Sequence, residues 1–552
     1  MSHHIEPEIA PVYALDQLDN DVKSQDKDLT PSSINVLDAE DQHTEPVVQV
    51  RLERRLQSRH MQMIAFGGVI GSGFFVALGS GFHSAGPAGL LISFSLVGCL
   101  LWIVMQAVGE MSAFMPISGS FMAFSTKFID ESVGFAIGWG YWFLWATLGI
   151  SEYNTMTILL SYWNTHIPSY GWILLFNVFF LVITTRGVRV FGELELILCT
   201  FKIIFIILVM ILSIIVAAGG VNNGPVLGFT YWRNPGAFAN GFVGVFKTLP
   251  LAANFMVGSE MLGTTAGECA NPAREVPKAA KQVTWRILFV FILGIFLQGM
   301  IVPYDDPQLL NGASPTARAV IAIAMNRNGI TGIGHAVTAF CLVANISALN
   351  GTMFIASRAL ANLGFVGHGP KFLTKVSKRG VPVYGVIITN TIGLLALLNT
   401  SAGPGQLFTW LVNISGIIAF LAWCTICLCH IRFRAVLRAQ NIPLSELPWI
   451  SKGQPWFSWI GLIASIFFTL ISGWTAFYKG FDYISFLQSY IILPVFFGLI
   501  VGFKLIRKNP RVDLRAVDLR TGRSVWSPED FAVSGESRSK RLLRRGRELV
   551  TG

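Results

Sequence analysis

The first long apolar run of the chain, residues 61–82, is interrupted in its middle by Ile70-Gly71-Ser72-Gly73-Phe74. A helix that unwinds in lipid leaves backbone N–H and C=O groups unpaired, at a cost of several kcal/mol each. Such breaks persist only where the backbone is buried in protein or lines a cavity. An opened Gly-Ser-Gly offers N–H donors and a helix N-terminus, which suit an anion such as a carboxylate. The break points to a carrier with a binding site near mid-membrane, not to an anchor.

The chain has 552 residues, 53% hydrophobic and 13% charged. Soluble domains carry roughly 25% charged residues, so the expected class is an all-α polytopic membrane protein. About twelve stretches meet the ~20-residue spanning criterion. They lie near 61–82, 87–114, 133–160, 170–185, 193–219, 237–262, 283–303, 331–360, 382–400, 405–430, 456–478 and 483–506. Three segments are expected: a disordered acidic tail (1–50), a membrane domain (51–508) and a charged C-terminal tail (509–552). The polar, acidic start does not read as a cleavable signal.

Basic residues set the orientation. Arg51, Arg54, Arg55 and Arg59 precede the first span, and further clusters follow the even-numbered spans, from Lys127 through Arg274 and Arg358 to Arg432 and Lys504. The opposite loops hold few, among them Arg233, Arg318, Arg327 and Lys479. The positive-inside rule then puts both termini in the cytoplasm. The net charge of +10 is mainly a topology signal, and no clustered basic soluble face suggests nucleic-acid binding. Membrane lipids are the implied surroundings. Lys23 and Lys27 are the lysines of the N-terminal tail, which reads either as a plain solvated tail or as a site for ubiquitin-ligase machinery.

The chemistry of soluble enzymes is missing. No Walker loop, HExxH or nucleophile elbow is present, so transport would run on a gradient or downhill. Cys424, Cys427 and Cys429 precede His430 in a continuous apolar helix, where cysteine is mostly a small hydrophobe. Neither a metal nor a cofactor is expected, and an enzyme is the least favoured class.

Several ordered motifs then carry a resemblance. Arg55-Leu56 and Arg59-His60-Met61-Gln62-Met63 lead into Gly68-Val69-Ile70-Gly71-Ser72-Gly73. Gly109-Glu110-Met111, Phe191-Gly192-Glu193-Leu194-Glu195 with Lys202, Gly258-Ser259-Glu260, Gly267-Glu268-Cys269-Ala270-Asn271-Pro272 and Ser357-Arg358 follow in order. Together they resemble fungal amino-acid permeases of the amino acid–polyamine–organocation superfamily, over residues 51–508. The resemblance implies twelve transmembrane helices in a leucine-transporter-type 5+5 inverted repeat, with helices 1 and 6 broken. Independently, span six carries its own breaking cluster, Val257-Gly258-Ser259-Glu260, although glycine in membrane helices also serves close packing.

A substrate amino acid would place its carboxylate on the N–H groups of Gly71, Ser72 and Gly73. Its ammonium would meet carbonyls near Ile70 and from Phe255 and Met256 to Gly258. Glu152, Asn154, Met256, Ser259 and Asn350 are candidates to face the pocket. The superfamily often has an aromatic residue where Met256 stands, which leaves a thinner gate here. Lys247 in span six could repel cations, pair with Glu152 or face the external vestibule.

Lys202 lies in the apolar run 194–218, where a charge is functional by default. In related proton-coupled carriers a lysine here replaces a bracing sodium ion; the alternative is a lysine that snorkels to the cytoplasmic interface. Glu152 and Glu260 are the other proton-coupling candidates. Glu260 could relay protons or hold the span-six loop, and Glu152 could carry the proton, meet a cationic substrate, or be an internally bonded acid. Glu193 and Glu268 mark cytoplasmic ends of spans. The expected function is a plasma-membrane importer of amino acids by proton symport with alternating access. The alternatives are an exporter or exchanger of an amino-acid-like metabolite, or a transporter-derived nutrient receptor.

Overall fold

The computed structural model describes Gly71, Phe74 and residues 77–524, except 118, 164–165, 223, 270, 312–318, 331, 401–403 and 478–479. Of residues 311, 399–400, 404–413 and 475 it describes the backbone alone. Ile70, Ser72, Gly73 and the expected N-terminal tail fall outside the described residues.

The described residues are helical, with one isolated antiparallel bridge between Val376 and Pro382. Helix α1 (Leu78–Phe114) joins the end of the first expected span to the second through a kink at Gly86, which has φ +74°. A Cβ there would lie 2.7 Å from both Ala237 O and Ala239 N. The kink frees backbone groups that must pair inside a membrane protein. Ala88 N–H donates to Ala237 O (2.9 Å), and Ala239 N–H donates to Ala85 O (3.2 Å).

A short helix α2 (Phe121–Phe128) leads to α3 (Glu131–Leu160), whose N-terminus is capped by Asp130 accepting from Ser132 N (2.9 Å). Then come α4 (Ser169–Thr184) and α5 (Val188–Ala217). The apolar α5 divides by helical period. Ile197, Phe201, Ile204 and Ile211 are exposed, as a lipid-facing row requires, whereas Glu195, Cys199, Lys202, Ile206 and Val209 are buried.

Span six is two helices, α6 (Gly241–Met256) and α7 (Met261–Ala266). Span seven runs through α8 (Pro272–Arg286), a π-helical turn (Ile287–Leu293) and α9 (Gly294–Gln298). Helices α10 (Ile333–Phe365), α11 (Val383–Gly393), α12 (Pro404–Ala439) and α13 (Trp456–Ile471) follow. The last two, α14 (Tyr483–Tyr490) and α15 (Ile492–Arg507), meet at a 41° bend. Helices α3 and α10 pack across the centre. Glycine lets them close: a Cβ on Gly149 would sit 3.0 Å from Met353 Cε, and one on Gly138 would sit 2.6 Å from Leu363 Cδ2.

Seven described helices are long and apolar enough to cross a membrane, or eight with the bent pair counted as one span. The expected spans four, nine and eleven are shorter apolar helices, Ser169–Thr184, Val383–Leu398 and Trp456–Ile471. Most of the expected first span lies outside the described residues.

Residues 509–524, the first part of the charged C-terminal segment, are anchored on the helices. Gln440 Nε2 donates to Val517 O (2.7 Å), Arg523 pairs with Glu446 (2.8 Å), and Ser524 N–H donates to Phe114 O (2.9 Å). Leu519 is buried in the core. Main-chain carbonyls, the buried Leu519 and the Arg523–Glu446 ion pair together supply the anchorage.

Candidate functional site

The break in span six is real and internally satisfied. After Met256 the backbone turns extended at Val257, and Gly258 takes φ +91°. Glu260, fully buried, reaches back over the gap. Its Oε1 accepts from Gly258 N–H (3.0 Å) and Tyr141 OH (3.2 Å), and its Oε2 accepts from Trp423 Nε1 (3.2 Å). Three donors from spans three, six and ten thus converge on one carboxylate. Tyr141 and Trp423 carry no motif that would have marked them.

Gly71 lies between spans three and eight. A Cβ built on it would stand 3.3 Å from Ala348 Cβ and 3.6 Å from Glu152 Oε1. Gly71 and the Glu152 carboxylate are therefore neighbours. Asn345 on α10 donates to the main-chain carbonyl of Glu152 (2.8 Å), tying span eight to span three beside them. Asn154 Nδ2 and Asn350 Oδ1 are buried without a hydrogen-bond partner among the described residues. Buried polar atoms of this kind ask for a ligand or water.

Lys202 is fully buried and does not snorkel. Its Nζ donates to Ser347 Oγ (2.8 Å) and stands 3.8 Å from Glu195 Oε1. Ser347 in turn donates to Glu195 Oε1 (2.6 Å), Asn350 Nδ2 donates to Oε2 (3.2 Å), and Cys199 Sγ donates to Oε1 (3.1 Å). Lys202 thus bridges spans five and eight. Glu195, quoted above only as part of a motif, is its acidic partner. The signal was available: residues 195, 199 and 202 share one helix face by their spacing of four and three.

The remaining candidates disperse. Phe255 packs with Phe74 and Phe94, each at 6.1 Å between ring centroids. Met256 is fully buried, and its methyl lies 3.7 Å from a Cβ built on Gly98 of α1. Ser259 donates to Met256 O (2.7 Å) and accepts from the buried guanidinium of Arg286, a partner no local pattern indicates. Lys247 is exposed beside the buried Thr248 and Leu249.

Residues 60–516 match the family model described as amino acid permease. The chain belongs to the amino acid permease family. The permease is 36% identical over 504 residues to the general amino acid permease AGP3 of Saccharomyces cerevisiae, covering 90% of each chain. It is 34% identical over 511 residues to the basic amino-acid permease of the same yeast, covering 91% of this chain and 87% of that one. It is also 36% identical over 504 residues to the amino-acid permease GAP5 of Candida albicans, covering 90% and 80%. In fold, the permease is similar to an Eremococcus coleocola manganese transporter, with TM-score 0.52, 14% identity and coverage of 87% and 100%.

Two charged clusters lock other ends of the permease. Arg358 grips Glu268 with Nε (2.5 Å) and Nη2 (3.3 Å), and its guanidinium lies 3.3 Å over the Phe354 ring. Phe354 stacks on Phe191 at 3.7 Å, so spans five, six and eight meet there. Glu110 accepts from His430 (3.0 Å), Arg434 (2.8 Å) and the Ser451 N–H (2.8 Å), all buried.

Proposed function

We propose that the permease imports amino acids across the plasma membrane by proton symport with alternating access, with both termini cytoplasmic. The observation that carries this reading is the place of Gly71, against Glu152 of span three and Ala348 of span eight. A substrate carboxylate held by the N–H groups at Gly71, Ser72 and Gly73 would lie within reach of the polar atoms of these two spans. Ile70 and the carbonyls around Phe255, Met256 and Gly258 would take the ammonium, with Ser259 at the second break.

Two acids and a lysine supply the coupling. Glu152 stands next to the first break, where a proton on its carboxyl would alter the charge beside the bound zwitterion. Lys202 occupies the junction of spans five and eight, so its charge can bias the relative position of these spans. Glu260 holds the opened turn of span six and conveys changes there to Tyr141 and Trp423. Relatives named as general and basic amino-acid permeases support an amino-acid substrate. The ubiquitin-ligase reading of the N-terminal tail remains part of the proposal through Lys23 and Lys27.

The test is uptake of a panel of labelled amino acids into permease-deficient yeast expressing the chain, with and without a protonophore. Accumulation of one class that collapses with the proton gradient supports symport. Retention of full uptake under the protonophore, or loss of preloaded substrate with no import, overturns it in favour of an exchanger or exporter.

A further inference from the structure

We propose that Glu195 is a positioning residue of the transport cycle, linking the coupling lysine to two polar residues of span eight, Ser347 and Asn350. The inference rests on the symport reading of Lys202.

The geometry gives one carboxylate two different clients. Through Oε1, Glu195 accepts the Ser347 hydroxyl, and the same hydroxyl oxygen receives the Lys202 ammonium. A serine hydroxyl has a single proton. At 2.6 Å to Glu195 and 2.8 Å to Lys202, it donates to the acid and accepts from the amine. Through Oε2, Glu195 accepts Asn350 Nδ2, which leaves the Asn350 carbonyl oxygen as the unpartnered atom. The bond therefore fixes the orientation of the Asn350 amide. With Cys199 also directed at it, Glu195 is surrounded by donors, an arrangement that suits a charged carboxylate.

Ser347 and Asn350 are three residues apart, on one face of α10. Any movement of span eight that separates Ser347 from Lys202 changes the grip of Glu195 on Asn350 as well. A buried ion pair is no general source of stability, and it is costly where lipid surrounds the fold. The pair makes sense as a device that holds span eight in one position against span five until the charge at Lys202 changes. Glu195 touches neither substrate nor a transferred proton in this scheme; it acts through Lys202 and the position of span eight.

The experiment uses the full chain reconstituted in lipid vesicles, with a labelled mixture of standard L-amino acids as the probe. Two quantities are read: accumulation driven by an imposed pH gradient, and counterflow exchange without one. Wild type, K202M, E195Q, E195D and S347A are compared at equal incorporated protein. E195Q should lower gradient-driven accumulation about tenfold, a difference of the size expected for one lost charged interaction, with exchange largely kept. E195D should restore part of the accumulation. S347A, which removes the linking hydroxyl and keeps both charges, should show the same split as E195Q. Accumulation at the wild-type level in E195Q and S347A, with K202M impaired, overturns the role of Glu195 and leaves the symport reading standing. Equal loss of accumulation and exchange in both variants assigns the cluster to structure alone and likewise overturns it. Normal accumulation in K202M overturns the reading of Lys202 itself. If E195Q does not incorporate, S347A decides.

Discussion

The carboxylate of Glu260 accepts the backbone N–H of Gly258, two residues earlier in its own chain, at 3.0 Å. A helix break thereby carries its own plug, and the plug also gathers Tyr141 and Trp423 from two other spans. Removing it by Glu260→Ala would orphan three buried donors. Each orphan costs about 1–3 kcal/mol, so the loss should be at least ~3 kcal/mol. Glu260→Gln keeps an acceptor oxygen and should lose less. Thermal unfolding of detergent-solubilised protein checks the order; equal midpoints for wild type and Glu260→Ala would refute it.

Gly86 sits in the left-handed region with two backbone atoms where a Cβ would go. At φ +74° and ψ 170° a side chain is strained by roughly 1–3 kcal/mol, and backbone cannot move aside cheaply. Gly86→Ala should therefore sharply reduce the amount of folded protein at the cell surface. Surface abundance matching wild type would show that the loop at Ala237 can yield.

The Arg358–Glu268 pair is nearly closed to solvent and forked. Arg358→Ala strands a buried carboxylate and should destabilise by about 3–5 kcal/mol. The double variant Glu268→Ala/Arg358→Ala should be less damaged than the sum of the two single changes, because neither charge is left behind. Strict additivity in a double-mutant cycle would dismiss the coupling.

Asp130 supports a pH-dependent contact at the start of α3. Burial alone would raise its carboxyl, but hydrogen bonds from Lys504 and Ser132 outweigh this and hold it below its ordinary range. A depressed carboxyl contributes stability above its unfolded value, about 3.8. The contribution disappears as pH falls through the lower folded value. Lys504 is half exposed, so the pair is worth only ~0.5 kcal/mol. Lys504→Met should lower the melting temperature slightly at neutral pH, and the gap from wild type should shrink below about pH 4. A gap that widens on acidification contradicts this account.

The pattern of apolar runs disclosed most spans because burial in lipid constrains composition along a whole helix. Breaks were legible where glycine stands beside small polar residues, as at Gly258. For Lys202 the apolar run left burial and snorkelling both open, and its contact with Ser347 decides for burial. Partners across the fold were another matter. Tyr141 and Trp423 on Glu260, Arg286 on Ser259, and Ser347 on Lys202 are brought together by the packing of distant helices, which no local period encodes. Gly86 and Pro87 are a different case: the apolar pattern ends the first span at 82 and opens the second at 87, and the non-helical backbone of Gly86 interrupts the helical run at that place.

The docking of residues 509–524 sets a practical boundary for handling the protein. Val517 and Ser524 are hydrogen-bonded to the bundle, and Leu519 is buried in its core. A fluorescent protein or affinity tag fused directly after the last helix would displace this strap and expose the surfaces it covers. The same tag placed beyond residue 524 leaves it seated, so a fusion series stepping across that position would show whether transport depends on the strap or only on the helices.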